Sequence, residues 1–126
     1  RLEMLVLHTT GISTLQGIDD AAALETLQLS RIDFGGITIP NELWNIHTLR
    51  NLQLRECGFE GQLSERVGEL RELTALNLYQ NTLTGNLPTQ MGDLLNLKSL
   101  TLSRNQFNGP LPTELNLMSN LLQLYL

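Results

Sequence analysis

Few side chains in this sequence have the types and spacing that catalysis or metal binding requires. His8 and His47, its two histidines, belong to segments of different kinds, and no cysteine or histidine stands at metal-ligand spacing from either. Cys57 is the single cysteine and falls in a position predicted to be buried, where thiols are inert. The adjacent acids Asp19 and Asp20 suit the start of a helical turn better than a cation site. The sequence therefore predicts no enzyme active site, no metal site and no cofactor.

A second group of polar side chains has chemistry suited to binding. Its members alternate with leucines, and several are arginines or tyrosines, the residue types that dominate binding energy at interfaces. Arginine also pairs well with carboxylate and phosphate groups, so an acidic or phosphorylated partner segment is one interpretation. A solvated sheet with scattered charge is the other. The candidate ligand-binding residues are Arg31, Gln53, Arg55, Asn77, Tyr79, Arg104 and Tyr125.

These residues are positioned by a leucine pattern, L-x-x-L-x-L, that occurs six times, beginning at Leu2, Leu24, Leu49, Leu73, Leu97 and Leu121. The intervals of 22, 25, 24, 24 and 24 residues indicate stacked repeats, each of which buries its apolar side against its neighbours. The alternation within each pattern predicts a strand with inward leucines and outward polar residues. Residues 1–126 are predicted to form a single domain. We expect it to be an uncapped part of a longer array, because polar capping segments are missing at both ends.

One polar position in each repeat is predicted to hold the turn that follows the strand. Asn81 and Asn105 occupy it in the fourth and fifth repeats, where a buried amide can bond backbone groups of neighbouring turns. Cys57 and Thr10 are plausible substitutes, since both are small and form hydrogen bonds. Ile32 offers no polar atom, so the turn there is expected to be less well satisfied.

Two further features are predicted from the overlaid repeats. Large apolar residues two places beyond the turn position should stack along the solenoid; they are Ile12, Phe34, Phe59, Leu83 and Phe107. Residues 88–97 and 112–121 each begin with Pro and carry apolar residues about three apart, which predicts a short α- or 3₁₀-helical turn opposite the sheet.

The chain resembles the plant-type leucine-rich-repeat family, over essentially all of its length and most strongly from residue 49 to 121. The fourth repeat carries the family pattern at Leu73, Leu76, Leu78, Asn81, Leu83, Gly85, Leu87, Pro88, Met91, Gly92 and Leu94. The resemblance implies an α/β fold, a right-handed solenoid shaped as a horseshoe arc. A parallel β-sheet lines its concave face and short helical or 3₁₀ turns lie on its convex face. It also implies recognition of a protein or peptide ligand, as in ectodomains of receptor-like kinases and receptor-like proteins, and a cell-surface location.

Composition limits the partners further. The net charge of −5 argues against nucleic-acid binding, which normally goes with a basic excess. No apolar run approaches the roughly 18 residues that a membrane helix needs. The outward residues of the predicted sheet nevertheless include three arginines and one glutamate, because most acids fall on the convex segments. Two alternatives stay open: an intracellular interaction scaffold, which could be cytoplasmic, and the regulatory or recruiting region of an enzyme such as a kinase encoded outside this segment.

Overall fold

The computed structural model describes residues 2–126, which form two parallel sheets joined by 3₁₀ helices. The larger sheet has the order β1-β2-β3-β5-β7-β9, and the smaller one has the order β4-β6-β8. The strands are β1 (Met4–His8), β2 (Thr26–Ser30), β3 (Asn51–Arg55), β4 (Glu60–Gln62), β5 (Ala75–Asn77), β6 (Thr82–Gly85), β7 (Ser99–Thr101), β8 (Gln106–Phe107) and β9 (Gln123–Tyr125). The 3₁₀ helices are η1 (Ile18–Asp20), η2 (Asn41–Asn45), η3 (Glu65–Glu69), η4 (Thr89–Asp93) and η5 (Thr113–Leu117).

The large sheet pairs equivalent positions of successive repeats. Leu27 of β2 is in register with Leu52 of β3, which is in register with Leu76 of β5 and then with Leu100 of β7. These leucines are fully or almost fully buried, and the intervening residues point to solvent. The period-2 pattern therefore becomes one continuous apolar core beneath the sheet, and the predicted parallel solenoid is confirmed.

The polar turn position behaves as the sequence predicts at Asn81. Its Oδ1 accepts hydrogen bonds from the backbone N–H groups of Cys57, at 3.1 Å, and Phe59, at 3.2 Å. Its Nδ2 donates to the carbonyls of Leu54, at 2.7 Å, and Leu78, at 2.9 Å. One side chain thus satisfies backbone groups of two repeats that would otherwise be buried without partners.

Cys57 takes the place of Asn81 one repeat earlier, with its thiol near two backbone carbonyls and a backbone hydrogen bond from Ile32. Its Sγ lies 3.2 Å from the Arg55 carbonyl and 3.5 Å from the Leu29 carbonyl, the positions that the Asn81 amide nitrogen serves one repeat later. Ile32 is fully buried and supplies neither a donor nor an acceptor. In the preceding repeat Ile12 N–H has a long 3.4 Å bond to the half-buried Thr10. Hydrogen bonds from the side chain at the turn position therefore connect neighbouring repeats from the third repeat onward.

The convex segments are 3₁₀ helices, as the spacing of their apolar residues predicts. Pro40, Pro88 and Pro112 each occupy the position before the helix, where their carbonyls accept the first helical hydrogen bond. Ser64 stands where proline is found in those repeats, and its hydroxyl accepts a hydrogen bond from the Arg66 N–H at 3.2 Å. Serine therefore replaces proline by capping the helix through its side chain.

Aromatic packing distinguishes the second repeat from the others. Phe34 and Phe59, from the predicted apolar column, stack with ring centroids 5.0 Å apart. Trp44 takes the position that is glycine in the next two repeats, and it is fully buried. At the equivalent Gly68 a Cβ would lie 2.5 Å from the Gln90 backbone oxygen. A side chain as large as tryptophan therefore needs local spacing that the regular repeats lack, and this repeat is one residue longer.

Candidate ligand-binding surface

The solvent side of the large sheet, here called the concave face, carries a hydrogen-bonded row of amides. Gln53 Nε2 donates to Asn51 Oδ1 at 2.9 Å, and Asn77 Nδ2 donates to Gln53 Oε1 at 3.3 Å. Asn77 Oδ1 in turn accepts from the Tyr79 backbone N–H at 2.9 Å. The row links β3 to β5 and fixes the orientation of side chains that would otherwise rotate freely. Two candidate residues, Gln53 and Asn77, are therefore preorganised.

A turn with left-handed backbone follows β1, β2, β3, β5 and β7 and places the next residues at the edge of the large sheet. The residues at this position have φ between 48° and 59°, and none of them is glycine: Thr9, Arg31, Glu56, Gln80 and Arg104. The N–H of Arg31 donates to the Arg55 carbonyl, and that of Glu56 donates to the Tyr79 carbonyl, both at 3.0 Å. This geometry was not predictable from the residue types, because non-glycine residues rarely adopt it. Its only sequence signal is the fixed place before the polar turn residue.

Tyr79 lies between two arginines from the repeats on either side. The guanidinium carbon of Arg55 is 5.9 Å from the centre of the Tyr79 ring, and that of Arg104 is 5.8 Å from it. Each contact is within cation–π range and contributes about 0.5–1 kcal/mol at an exposed site. Both arginines are exposed, whereas Tyr79 is half-buried. The structure thus brings three of the predicted residues into one cluster.

Arg31 lies beside this cluster but is partly neutralised. Its Nε is 3.5 Å from Glu56 Oε2, and its side chain is 72% exposed. A shallow groove of about 540 Å³ runs between these groups; its lining residues are Arg31, Arg55, Glu56, Asn77, Tyr79, Gln80 and Thr101. Glu56, Gln80 and Thr101 were not among the predicted site residues, although they occupy the same outward columns of the repeats.

Tyr125 is the predicted site residue that belongs to neither the groove, the amide row nor the Tyr79 cluster. It is on β9, pairs in register with Thr101 and is 53% exposed. On the opposite side His8 Nδ1 and Ser30 Oγ form a hydrogen bond across β1 and β2. Among residues 2–126 the structure shows no acid that orients this exposed histidine ring, so the pair lacks the third member of a hydrolytic triad.

Some charged groups of the convex side form ion pairs with one another. Arg66 donates from Nε and Nη2 to both carboxylate oxygens of Glu69, each at 2.9 Å, and reaches Asn45 of the preceding repeat at 2.8 Å. This guanidinium holds the pKa of Glu69 below its ordinary value, with a smaller contribution from His47 at 3.6 Å. Arg50 lies between Glu25, at 3.8 Å, and Glu72, at 3.4 Å.

Cys57 has no nucleophilic character in this fold. It is fully buried, and burial raises the pKa of its thiol to about 11. A backbone hydrogen bond from Ile32 partly offsets this rise in pKa, and the nearby Glu56 carboxylate adds to it. Within residues 2–126 no group of three or more His, Cys, Asp or Glu side chains could hold a metal ion. Over the same described range no helix has the length and apolarity to cross a membrane.

Comparison with known proteins identifies the repeats. The family model described as Leucine Rich Repeat matches residues 72–94 and 96–118, which are the two most regular units. The solved structures that resemble the fold include several plant receptor ectodomains. The chain is a leucine-rich-repeat protein of the plant type. No curated protein matches its sequence at a significant level.

Three solved structures illustrate the proteins whose folds are similar to this one. The Arabidopsis receptor kinase HAESA, solved with the peptide hormone IDA and the co-receptor SERK1, has 28% identity and a TM-score of 0.89 over 95% of this chain and 20% of its own. The Arabidopsis thaliana GASSHO1/SCHENGEN3 ectodomain, in complex with CASPARIAN STRIP INTEGRITY FACTOR 2, has 31% identity and a TM-score of 0.80 over 86% of this chain and 14% of its own. A plant ice-binding protein has 25% identity and a TM-score of 0.83 over 90% of this chain and 37% of its own. The chain thus spans well under half of each of these structures.

Proposed function

We propose that this leucine-rich-repeat segment recognises a peptide or protein ligand through its concave face, as part of a plant receptor-like protein. The ligand lies across the strands of the large sheet and contacts the groove beside Tyr79. The segment acts as a rigid scaffold and carries out no chemistry. Its partners are proteins or peptides.

The observation that carries this proposal is the preorganised polar surface on β3, β5 and the turns that follow them. The amides of Gln53 and Asn77 are oriented by hydrogen bonds, and the arginines beside Tyr79 are held against its ring. Side chains that are ordered before binding lose less conformational entropy when a ligand arrives. GASSHO1/SCHENGEN3 and HAESA, solved in complex with CASPARIAN STRIP INTEGRITY FACTOR 2 and with the peptide hormone IDA, support the same function for this chain.

Blocking the concave face with a bulky neutral side chain tests the proposal. Thr101 lines the groove on β7, and Thr89 is an exposed residue of η4 on the convex side. Thr101→Trp and Thr89→Trp are therefore the same substitution on opposite faces. The chain is immobilised, incubated with extracellular peptides and proteins from plant tissue, and the retained species are identified by mass spectrometry.

We expect at least one species to be retained by the unmodified chain and by Thr89→Trp but lost with Thr101→Trp. Equal retention by both variants would place binding away from the concave face. Retention of nothing by the unmodified chain contradicts the proposed function. Far-ultraviolet circular dichroism of the two variants establishes that any loss is not due to unfolding.

A further inference from the structure

Arg55 and Arg104 differ from Arg31, Arg50 and Arg66, because no acid within residues 2–126 forms an ion pair with either of them. Arg31, Arg50 and Arg66 each have a carboxylate within 4 Å. Both are exposed, and both lie against Tyr79. Two unneutralised cations therefore share one short stretch of the concave face of a protein whose net charge is −5.

The stacking on Tyr79 holds these two cations close together without neutralising them. An aromatic ring attracts a guanidinium through its quadrupole but carries no net charge. The planar N–H edges of both guanidinium groups remain able to donate paired hydrogen bonds, which is the geometry that carboxylates accept. The nearby acid Glu56 forms an ion pair with Arg31 at 3.5 Å, and none joins it to Arg55 or Arg104 within the described residues.

The two arginines lie close enough together for one extended peptide to reach both. They come from the third and fifth repeats and lie on either side of a tyrosine of the fourth, with both guanidinium carbons within 5.9 Å of its ring centre. In an extended peptide, alternate side chains lie on one face and are about 7 Å apart along the chain. Two acidic side chains at alternate positions can therefore reach one arginine each, while the residue between them points away.

We propose that Arg55, Tyr79 and Arg104 form a subsite for two carboxylates at alternate positions of an extended peptide, in the pattern acid-x-acid. This inference rests on the proposed function, since it names the chemistry of the ligand at that surface. The arginines supply the hydrogen bonds, and Tyr79 sets their positions. The subsite distinguishes an alternating acidic segment from one with adjacent acids, because adjacent side chains point to opposite faces of an extended strand.

The test uses fluorescein-labelled peptides of defined sequence and measures anisotropy on titration with the chain. The main probe is Gly-Ser-Glu-Ser-Glu-Ser-Gly. The controls are the same peptide with Gln in place of Glu, and Gly-Ser-Glu-Glu-Ser-Ser-Gly, which has the same charge with adjacent acids. A further peptide carries phosphoserine in place of both glutamates. The protein variants are Arg55→Gln, Arg104→Gln, Tyr79→Leu and, as a matched control, the exposed Arg71→Gln.

We expect the alternating diacid to bind at least about tenfold more tightly than the Gln peptide, and Arg55→Gln and Arg104→Gln each to remove about that factor. Tyr79→Leu weakens binding while leaving both charges, and Arg71→Gln leaves affinity unchanged. The adjacent-acid peptide should bind more weakly than the alternating one.

Three results would overturn the inference: equal affinity for the Gln peptide, an equal loss with Arg71→Gln, or equal affinity for the adjacent-acid peptide. Tighter binding of the phosphoserine peptide that needs the same arginines would also overturn it and would assign the subsite to phosphate. Any of these results leaves the Thr101→Trp experiment unaffected. The proposed function and this subsite can therefore fail separately.

Discussion

Replacing Asn81 with alanine is expected to destabilise the solenoid more than any substitution of an exposed asparagine. The Asn81 side chain is 7% exposed and makes hydrogen bonds to two successive repeats. Alanine removes the amide without changing the backbone conformation that the position requires. The expected loss therefore comes from the backbone groups that Asn81 now satisfies.

The magnitude follows from the groups left without partners. The N–H groups of Cys57 and Phe59 donate to Asn81 Oδ1, and both residues are fully buried. Leaving one buried donor unsatisfied costs about 1–3 kcal/mol, so the two together cost about 2–6 kcal/mol. Since domains are typically stable by about 5–15 kcal/mol, this loss is a large fraction of the whole.

Urea unfolding followed by tryptophan fluorescence measures the effect. Trp44 is the only tryptophan and is fully buried, so its emission reports loss of the core. Asn105→Ala gives an intermediate case, because the half-buried Asn105 accepts one backbone bond, from Leu83 at 3.2 Å. Asn116→Ala is the control: Asn116 is exposed on η5, and its side chain makes no hydrogen bond within residues 2–126.

The expected order of destabilisation is Asn81→Ala, then Asn105→Ala, then Asn116→Ala, with the last within about 0.5 kcal/mol of the unmodified chain. An Asn81→Ala protein within 1 kcal/mol of the Asn116→Ala control would refute the reasoning, where about 1 kcal/mol is the least that one orphaned donor costs. A larger loss for Asn105→Ala than for Asn81→Ala would refute it as well. Both results would mean that the buried amides find other partners.

Three other substitutions or conditions have expected outcomes. Gly68→Ala should destabilise the fold by about 1–3 kcal/mol, because the added Cβ would lie 2.5 Å from the Gln90 backbone oxygen. Gly11→Ala has open space around it and should be neutral or stabilising by up to about 1 kcal/mol. Equal stabilities of the two variants in urea unfolding would contradict this prediction. Because burial raises the pKa of Cys57 to about 11, the unfolded thiol ionises first and stability should fall as pH rises from about 8.5 towards 11; a thiol reagent at pH 8 should label only urea-unfolded protein. Gln80→Gly relieves a left-handed backbone with φ 54° and should raise stability by up to about 1 kcal/mol, so a lowered midpoint would count against strain at that turn.

The fold was predictable because its contacts repeat at a fixed interval. Leu52 pairs with Leu76 and Leu76 with Leu100, each 24 residues later, so one repeat pattern specifies register, core and outward face together. The hydrogen bonds of Asn81 were predictable as well, since a polar side chain at a buried turn must bond to backbone groups. The function class came only from the resemblance that these positions carry.

The candidate site was predictable as a set of residues but not as an arrangement. The repeat pattern identified Arg55, Tyr79 and Arg104 one by one as outward residues. That both arginines contact one tyrosine ring depends on side-chain conformations in three repeats. The pairing of Arg31 with Glu56, which leaves the other two arginines without an acid, was likewise not visible in the order of residues. The uncapped ends of the array and the role of the named residues in ligand binding are still predictions.

By itself, the sequence determined the solenoid, because burial of leucines at a period of two within strands and about 24 between them admits one packing. It also determined which side chains face solvent. Only the tertiary structure decided which of those side chains meet, since that depends on close approach between repeats rather than on spacing along the chain. The left-handed turns, the amide row and the tyrosine between two arginines are all of this kind. Trp44 belongs with them, because a buried tryptophan in a glycine position is possible only where the neighbouring repeats leave room for it.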